Sequence, residues 1–377
     1  MLVAGGFHRN GGMDRLNLAL ADYLADRGRS VHLVCYSFNP ELENKVTSIK
    51  LVQRPRGSFR LGGLLLAREG RRVAGLLQRG SCGARVVVNG GNCDWPDINW
   101  VHCVHHAWKR SGQPSRSSFR LRDKLSRWLF CRRERIVLGK AQVLIANSQR
   151  TRKDLENLLQ IDPERIHVVY PGADTDFRQT SMRRREAALA WLGRNERRPL
   201  VAFVGAFGED SNKGFNVLFS AWVKLCDRRD WDVDLVVAGG GRALESWRHR
   251  VVTAGLDRRI TMLGFTNRVP DVLAAADLLV SPVRYESYGL NVHEALCTGI
   301  PAMVTKTAGV AERYPTALGD LLLNDPDDAD DLAARIFRWR TAIPYWKENV
   351  TPLARELSCH TLTDMAGRIV AIADGMN

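Results

Sequence analysis

Short apolar runs alternate with amphipathic stretches along almost the whole chain, and this alternation restricts the possible folds more than any other feature of the sequence. Such runs have the length of buried strands, and the stretches between them carry apolar residues at helical spacing. The predicted strands are Leu2–Ala4, Val31–Tyr36, Ile49–Gln53, Arg85–Asn89, Ile98–Val101, Val143–Ala146, Ile166–Tyr170, Leu200–Val204, Leu235–Ala238, Ile260–Leu263, Asp277–Ser281, Ile300–Val304 and Leu321–Leu323. Strands joined through helices run parallel, so the pattern predicts an α/β protein with parallel sheets.

The stretch between two of these strands, residues 282–299, carries the strongest functional signal. It contains, in order, Tyr285, Glu286, Ser287, Gly289, Leu290 and Glu294. A loop is predicted to lead through Gly289 into a helix over 290–298 that ends at Gly299. Free N–H groups at a helix start attract anions, and a nearby carboxylate can hold sugar hydroxyls. The pattern therefore predicts a site for a sugar joined to a phosphate, with solvated glutamates in an ordinary loop as the alternative.

A second phosphate signal is Lys213-Gly214, which follows the strand Leu200–Val204 and precedes a helix that ends near Cys226. A lysine in this position can neutralise a phosphate. The pattern G-x-x-x-x-G-K-[ST] of a P-loop ATPase is not met, because Phe215 stands where the hydroxyl residue is required. A P-loop ATPase is therefore disfavoured.

The first unit of the chain offers glycines and histidines at strand ends. Two glycine pairs, Gly5-Gly6 and Gly11-Gly12, separate the first strand from the first helix, a typical ligand position in doubly wound folds. The pattern G-x-G-x-x-G is absent, so a dinucleotide is not favoured, and a turn without function is the alternative.

Three histidines, His102, His105 and His106, follow the strand Ile98–Val101. One of them is suited to contact an acceptor hydroxyl or the reacting sugar, while a structural role is expected for at least two. A metal site is disfavoured, because adjacent histidines point apart and no standard ligand spacing is met.

The most basic part of the chain is residues 109–140. Its cations are Lys109, Arg110, Arg116, Arg120, Arg122, Lys124, Arg127, Arg132, Arg133, Arg135 and Lys140, against only Asp123 and Glu134. Leucines, Trp128 and Phe130 are interleaved, which is typical of a basic amphipathic helix on an anionic membrane surface. The alternative is a helix that packs its apolar face on the core.

Composition limits the remaining choices. The chain has 377 residues, enough for two domains, and a formal net charge of +14. Such a charge suits nucleic acid, acidic lipid or phosphorylated substrates, but no nucleic-acid motif is present and nucleic acid is not expected. The eight cysteines are scattered without a C-x-x-C pair, and neither a signal peptide nor a membrane span is recognised. These features predict a cytoplasmic protein, and the basic stretch adds a peripheral location at the inner face of the membrane as a second expectation.

Taken together, the motifs resemble those of the GT-B glycosyltransferases of family 4, retaining enzymes that use nucleotide-sugar donors. The resemblance covers essentially the whole chain. It rests on Val168-Val-Tyr-Pro-Gly-Ala-Asp, Val204-Gly with Lys213-Gly214, Gly264-Phe265, and Glu286 to Glu294 followed by Thr298-Gly-Ile-Pro301. It implies two Rossmann-like domains with parallel sheets that face across a cleft. An acceptor domain is expected over 1–178 and a donor domain over 179–357, with a helix over 358–374 that packs back on the first.

The resemblance also implies roles for individual residues. Glu294 would hold the ribose hydroxyls, Glu286 would contact the transferred sugar, and Lys213 would stabilise the diphosphate. The other expected donor contacts are Gly12, Phe265, Ser287, Gly289 and Leu290. Either His105 or His102 would match the family's catalytic histidine, and we select His105 for the catalytic set. The implied enzyme is a metal-independent hexosyltransferase without cofactor, using a UDP- or GDP-linked sugar and a sugar or lipid-linked acceptor in glycolipid or surface polysaccharide synthesis.

One departure from the family pattern concerns the diphosphate. The family usually has an arginine about five residues before the lysine, whereas residues 206–212 contain none. Arg242 or Arg284 is a candidate replacement. The alternative function is a catalytically weak or inactive relative that acts as a basic membrane- or nucleic-acid-binding protein.

Overall fold

The computed structural model describes residues 1–80, 83–108, 117–194, 198–208 and 210–376, without the side chains of residues 59, 60 and 117–126. The described residues form two compact units. The first runs to Gly172 and resumes at Thr361, and the second is Ala173–His360. Residues 173–178, which the sequence analysis placed in the first domain, belong to the second unit. The turn Thr175–Phe177 packs against a helix of that unit.

The first unit contains a seven-stranded parallel sheet in the order β5-β3-β1-β6-β7-β8-β9. Its elements are β1 (Leu2–Val3), β2 (Gly6–Phe7), α1 (Gly12–Asp26), β3 (His32–Cys35), β4 (Ser37–Phe38), β5 (Ser48–Leu51), α2 (Phe59–Gly80), β6 (Val87–Asn89), β7 (Ile98–Val101), α3 (Ser117–Lys140), β8 (Val143–Ala146), α4 (Gln149–Leu159) and β9 (Ile166–Val168). The strands β2 and β4 form a separate small sheet. The order places β1 beside both β3 and β6, with helices in the crossovers, which is the arrangement of a Rossmann-like domain.

The second unit repeats this arrangement with six parallel strands in the order β12-β11-β10-β13-β14-β15. Its elements are α5 (Met182–Trp191), β10 (Leu200–Val204), α6 (Phe215–Cys226), β11 (Asp234–Ala238), α7 (Leu244–Thr253), β12 (Ile260–Gly264), α8 (Val269–Ala275), β13 (Leu278–Ser281), α9 (Leu290–Cys297), β14 (Ala302–Thr305), β15 (Leu322–Leu323), α10 (Ala329–Thr341) and α11 (Ile343–Ser358). The predicted α/β class with two Rossmann-like parallel sheets is thus confirmed.

The strands are held by apolar side chains that are almost wholly buried on both faces. In β10, β11 and β13 every residue but Val204 is buried, as expected for a parallel sheet covered by helices. An aromatic group of Phe203, Phe207, Phe215 and Trp247 packs between the sheet and α6, with ring centroids 5.0–6.0 Å apart for the contacts among them. The loop after β10 therefore rests on a rigid apolar base.

The end of the chain differs from the single helix predicted over 358–374. Helix α11 ends at Ser358, and α12 (Leu362–Asp374) begins after Thr361, whose side chain accepts a hydrogen bond from the Asp364 N–H. Asp364 in turn accepts from the Thr361 N–H, so a complete capping box starts a new helix where the sequence analysis expected a continuous one. Helix α12 packs on α1 within the first unit.

Across the described ranges we find no helix with the length and hydropathy required to cross a bilayer.

Candidate functional site

The second sheet reverses its strand order between β10 and β13, which are hydrogen-bonded neighbours although β11 and β12 lie between them in sequence. Loops that leave the carboxyl ends of two such strands diverge to opposite sides and form a crevice. Here the loop after β10 carries Lys213, and the loop after β13 carries Glu286, Ser287 and Gly289. The two phosphate and sugar signals of the sequence therefore meet at one edge of one sheet.

Lys213 and Glu286 form an ion pair. The Nζ atom of Lys213 donates to Oε2 of Glu286 at 2.5 Å, across 73 residues of sequence. The lysine side chain is 33% exposed and the glutamate 19%, so the pair is partly desolvated yet open on one side. An ammonium group has three N–H donors, which allow it to bond to a carboxylate and to an anion at the same time.

Asn212 fixes the two loops to each other. Its Nδ2 donates to the Tyr285 carbonyl at 2.9 Å, and its Oδ1 accepts from the Tyr285 N–H at 3.0 Å. The Arg284 N–H also donates to the Asn212 carbonyl at 2.9 Å. The buried asparagine thus pairs with the Tyr285 backbone as a neighbouring strand would. Because Lys213 follows Asn212 and Glu286 follows Tyr285, this pairing positions Lys213 opposite Glu286.

Arg284 has a structural role, which argues against its selection as the replacement cation for the diphosphate. Its guanidinium donates to the Ser211 carbonyl, to Oδ1 of Asn216 at 3.2 Å and to Asp327, with Nε to Asp327 at 2.9 Å. Its side chain is only 10% exposed. These bonds engage all three guanidinium nitrogens of Arg284, so its role is to hold the loop that carries Lys213.

Two glycines allow the loops to approach. Gly214 has φ +74°, and a Cβ there would lie 1.9 Å from the Pro282 carbonyl oxygen. Gly289 has φ +113°, and a Cβ there would lie 3.1 Å from Val310 and 3.4 Å from Glu286. Any side chain would strain the backbone at either position. At Gly214 it would also push the loop after β10 away from Pro282, and at Gly289 it would crowd Val310 and Glu286.

Helix α9 begins directly after Gly289, as predicted, with Leu290 as its first residue and Gly299 (φ +85°) after its end. Glu294 and Ser287 are both buried, at 7% and 6% exposure. The loop after β14 supports this start, since the N–H groups of Gly309 and Val310 donate to the carbonyls of Glu286 and Tyr288. The backbone N–H groups at the start of α9 and the Glu294 carboxylate therefore belong to one strand–loop–helix unit.

Two other candidates lie on neighbouring loops of the same sheet edge. Phe265 follows β12 and is 74% exposed, and a Cβ added at Gly240 would lie 3.1 Å from the Phe265 Cβ. Arg242 lies between Gly241 and Ala243. The Ala243 N–H donates to the Phe207 carbonyl at 3.1 Å, and a Cβ at Gly241 would collide with the same carbonyl. Arg242 is exposed and adjoins the segment in which the family arginine is missing.

Gly12 and the three histidines belong to the first unit. Gly12 is the first residue of α1, with Gly11 (φ +92°) before it. His102 packs against Trp100 with ring centroids 4.5 Å apart, and burial lowers the pKa of His102 to about 3, so its ring is neutral at physiological pH. The side chain of His105 is 44% exposed and that of His106 21%. Of the three rings, His105 is the most accessible to a substrate.

A buried glutamate that the sequence analysis did not select holds both exposed histidines. Glu134 of α3 accepts from Nδ1 of His105 at 2.8 Å and from Nδ1 of His106 at 2.7 Å. It also accepts from their backbone N–H groups at 2.8 and 3.2 Å. Burial opposes its ionisation, but the hydrogen bonds from the two histidines outweigh burial and hold the pKa of Glu134 below its usual range.

Asn212 and Glu134 were missed for the same reason. Asn212 bonds to a residue 73 positions away and Glu134 to residues 28 and 29 positions away, so neither forms a local motif. For Glu134 there was one weak signal, since it is one of only two acids among the cations of 109–140. The cationic residues 109–116 of that stretch lie outside the described residues. Within the described ranges, no three His, Cys, Asp or Glu side chains are grouped as ligands for a metal ion.

In comparisons with known proteins, each of the two units matches a glycosyltransferase family profile. The profile described as Glycosyltransferase Family 4 matches residues 10–177, and the profile described as Glycosyl transferases group 1 matches residues 198–341. A D-inositol 3-phosphate glycosyltransferase of Corynebacterium efficiens is 30% identical over 272 residues, which are 64% of this chain and 62% of that protein. The alignment thus spans about three fifths of the length of this curated relative.

Solved structures agree on the fold. WaaG, a glycosyltransferase involved in lipopolysaccharide biosynthesis, superposes with a TM-score of 0.80 at 20% identity, over 100% of this chain and 99% of that one. HepE of Anabaena, solved in complex with UDP and glucose, superposes with a TM-score of 0.71 at 18% identity, over 100% and 99%.

Proposed function

This chain belongs to the group 1 glycosyltransferases of family 4, and we propose that it transfers a hexose from a UDP- or GDP-linked sugar to an acceptor hydroxyl, with retention of configuration. The observation that carries the proposal is the ion pair of Lys213 and Glu286 at 2.5 Å, at the strand reversal of the second sheet. We assign the lysine of this pair to the diphosphate and the glutamate to the sugar. The relative solved with UDP and glucose supports the same donor class.

The proposed donor contacts follow the order of the loops. The diphosphate binds Lys213 and the N–H groups at the start of α9, near Ser287, Gly289 and Leu290. The hexose binds Glu286, and the ribose hydroxyls bind Glu294. The base lies beside the backbone of Phe265. Gly12, in the first unit, is proposed as a further donor contact through its backbone N–H.

The proposed reaction requires no metal or cofactor. As the bond between the sugar and the diphosphate breaks, negative charge grows on the diphosphate and positive charge on the sugar ring. Lys213 and the α9 amides stabilise the leaving group, an electrostatic effect that commonly contributes the largest share of catalysis. The acceptor hydroxyl attacks the face that the diphosphate leaves, its oxygen forms the new bond to the sugar, and its proton passes to a phosphate oxygen. We place His105 beside a hydroxyl of the reacting sugar.

We propose Arg242 as the second cation for the diphosphate. Support comes from the hydrogen bond between its neighbour Ala243 and the Phe207 carbonyl, and from the engagement of Arg284 by Ser211, Asn216 and Asp327. Arg242→Gln is expected to weaken UDP binding about 10-fold, since one charge-assisted hydrogen bond contributes roughly 1.5–3 kcal/mol. An unchanged Kd would contradict this assignment, and a different group would have to replace the missing arginine.

We also propose an acceptor presented at an anionic lipid surface. Trp128, Leu129 and Phe130 of α3 are each more than 40% exposed, and Arg132 lies 5.3 Å from the Trp128 ring. Aromatic and cationic side chains together are suited to the headgroup region of a bilayer. The protein is expected to float with phosphatidylglycerol vesicles at low salt, and Trp128→Ala to float less. A protein that ignores these vesicles contradicts the proposal.

The donor is tested by thermal shift and by sugar hydrolysis with UDP-, GDP- and ADP-linked sugars. Ligand at 100-fold its Kd stabilises the protein by about 2.7 kcal/mol, which raises Tm by several degrees. One nucleotide class is expected to stabilise the wild type, and Glu294→Gln is expected to lose most of that response.

The matched control is Glu348→Gln, the same chemical change at an exposed glutamate of α11 in the same unit. It is expected to respond to the donor as the wild type does. A wild type that neither binds nor hydrolyses any donor contradicts the proposal and favours the inactive, basic binding protein.

A further inference from the structure

We infer that Glu134 is a positioning residue, which fixes His105 in the tautomer whose Nε2 accepts a hydrogen bond from the substrate. The inference rests on the proposed function, because the role of His105 beside the reacting sugar was assigned there. It goes beyond it by naming the group that determines how this histidine acts.

Glu134 binds the backbone and the rings of His105 and His106 together. Its side chain is 4% exposed, and each carboxylate oxygen serves one histidine. Oε1 accepts from the backbone N–H and Nδ1 of His105, and Oε2 accepts from the backbone N–H and Nδ1 of His106. A buried carboxylate of this kind is stable only when it is fully hydrogen-bonded, and these four donors supply that bonding.

An ionised carboxylate only accepts hydrogen bonds, so the ring atom that faces it must carry the proton. Nδ1 of His105 is therefore the protonated nitrogen of the neutral ring. Nε2 then holds the lone pair and points away from Glu134, on the side of a ring that is 44% exposed. A histidine so fixed accepts from a sugar or acceptor hydroxyl and does not donate to it.

A second contact from the same helix fixes the plane of the ring. Phe130 stacks on His105 with ring centroids 6.1 Å apart and an angle of 13° between the planes. Phe130 and Glu134 are four residues apart, so both project from one face of α3 toward the same imidazole. One residue sets the tautomer and the other sets the orientation, which is what a group that must meet one hydroxyl requires.

The first test is the tautomer itself, read from the ¹⁵N shifts of histidine-labelled full-length protein at neutral pH, with His105→Asn to assign the signal. His105 is expected to show a protonated Nδ1 and an unprotonated Nε2. This reading needs no turnover, so it stands apart from the test of the proposed function. A proton on Nε2 of the neutral His105 ring overturns the inference.

The second test is kinetic, with the donor that the wild type turns over. Glu134→Gln offers an NH₂ group in place of one oxygen, so it disturbs the tautomer or the bond of at least one ring. We expect kcat to fall about 100-fold while the KM for the donor changes less than about 3-fold. Glu134→Asp keeps the charge and is expected to recover part of kcat and the Nδ1-protonated signal.

The matched control is Asp154→Asn in α4. Asp154 is another carboxylate of the first unit with a largely buried side chain, but it bonds to Arg150. A purely structural role for Glu134 predicts equal losses of kcat in Glu134→Gln and Asp154→Asn, both explained by the folded fraction, and would overturn the inference. If Glu134→Gln does not fold, the wild-type tautomer and the Glu134→Asp variant still decide the question.

Discussion

The two edges of the second sheet both contain a carboxylate paired with cations, yet the pairs are built differently. At the amino edge, Asp277 accepts from Arg185 at 3.0 and 3.1 Å, from Lys347 at 2.8 Å and from the Leu200 N–H at 2.9 Å. At the carboxyl edge, Glu286 accepts from Lys213 through one oxygen at 2.5 Å. The aspartate side chain is 6% exposed and the glutamate 19%.

The two pairs have different roles: the pair at the amino edge stabilises the fold, and the pair at the carboxyl edge is available to a ligand. Asp277 ties α5 and α11 to β10 with bonds to both of its oxygens, so it is saturated by the protein itself. The Lys213–Glu286 pair is held from beneath by Asn212 and Arg284, and its outer side faces solvent. We therefore regard the amino edge as the structural edge and the carboxyl edge as the binding edge.

The largest effect on turnover is expected for Glu286→Gln, at the carboxyl edge. The substitution keeps the shape of the side chain and removes its charge, so kcat is expected to fall roughly 100- to 1000-fold. The free energy of unfolding is expected to change by less than about 1 kcal/mol, because the pair is partly exposed. Steady-state kinetics and urea unfolding of the same preparation measure both. A variant that loses stability but keeps kcat would reverse the assignment of this edge.

Asp277→Asn is the opposite change, made at the structural edge. It leaves Arg185 and Lys347 without their shared carboxylate, and such losses cost about 3 kcal/mol. We expect a lower urea midpoint but wild-type kcat per folded molecule. If turnover instead fell while stability held, the amino edge would have to take part in function.

Asn212→Ala is expected to lower both stability and turnover. It removes both hydrogen bonds to the Tyr285 backbone, and the expected destabilisation is about 2 kcal/mol, since two buried polar groups lose their partner. Because Lys213 and Glu286 lose their fixed separation, kcat is expected to fall about 10-fold. Asn216→Ala on α6, which removes one bond to Arg284, is the milder control.

The smallest effect is expected for Arg340→Gln, again at the amino edge. Hydrogen bonds from Arg340 at 2.6 and 2.7 Å lower the pKa of Asp232, so the pair stabilises the fold above the unfolded-state pKa near 3.8 and loses this contribution as pH falls further. Both side chains are more than a third exposed, so the loss at pH 7 is below about 1 kcal/mol. In urea unfolding, the difference between variant and wild type is expected to be smaller at pH 3 than at pH 7.

Much of the fold followed from the sequence because its signals are local. The apolar runs located the strands, and Gly289 with Gly299 located α9 to within one residue of its observed end. Helix α11 was missed because Pro344 and Pro352 argue against a helix, yet Pro344 lies in its first turn and Pro352 is accommodated inside. The strands β2 and β4 have two residues each, too few for any periodicity.

The candidate site was only half predictable. Lys213, Glu286 and Gly289 were indicated by residue type after a strand, which chain order alone reveals. The contacts that hold them depend on which loops the sheet order brings together, and no local pattern encodes that. Hence Asn212, Glu134 and the structural role of Arg284 emerged only from the folded chain.

The most direct test of the binding edge is the Kd of UDP for the wild type and for Lys213→Met, measured by titration calorimetry. Methionine keeps the length of the side chain and removes the charge that we place on the diphosphate. We expect the Kd to rise about 10- to 100-fold while the Tm without ligand changes little. An unchanged Kd in a folded Lys213→Met protein would contradict the assignment of the carboxyl edge as the donor site.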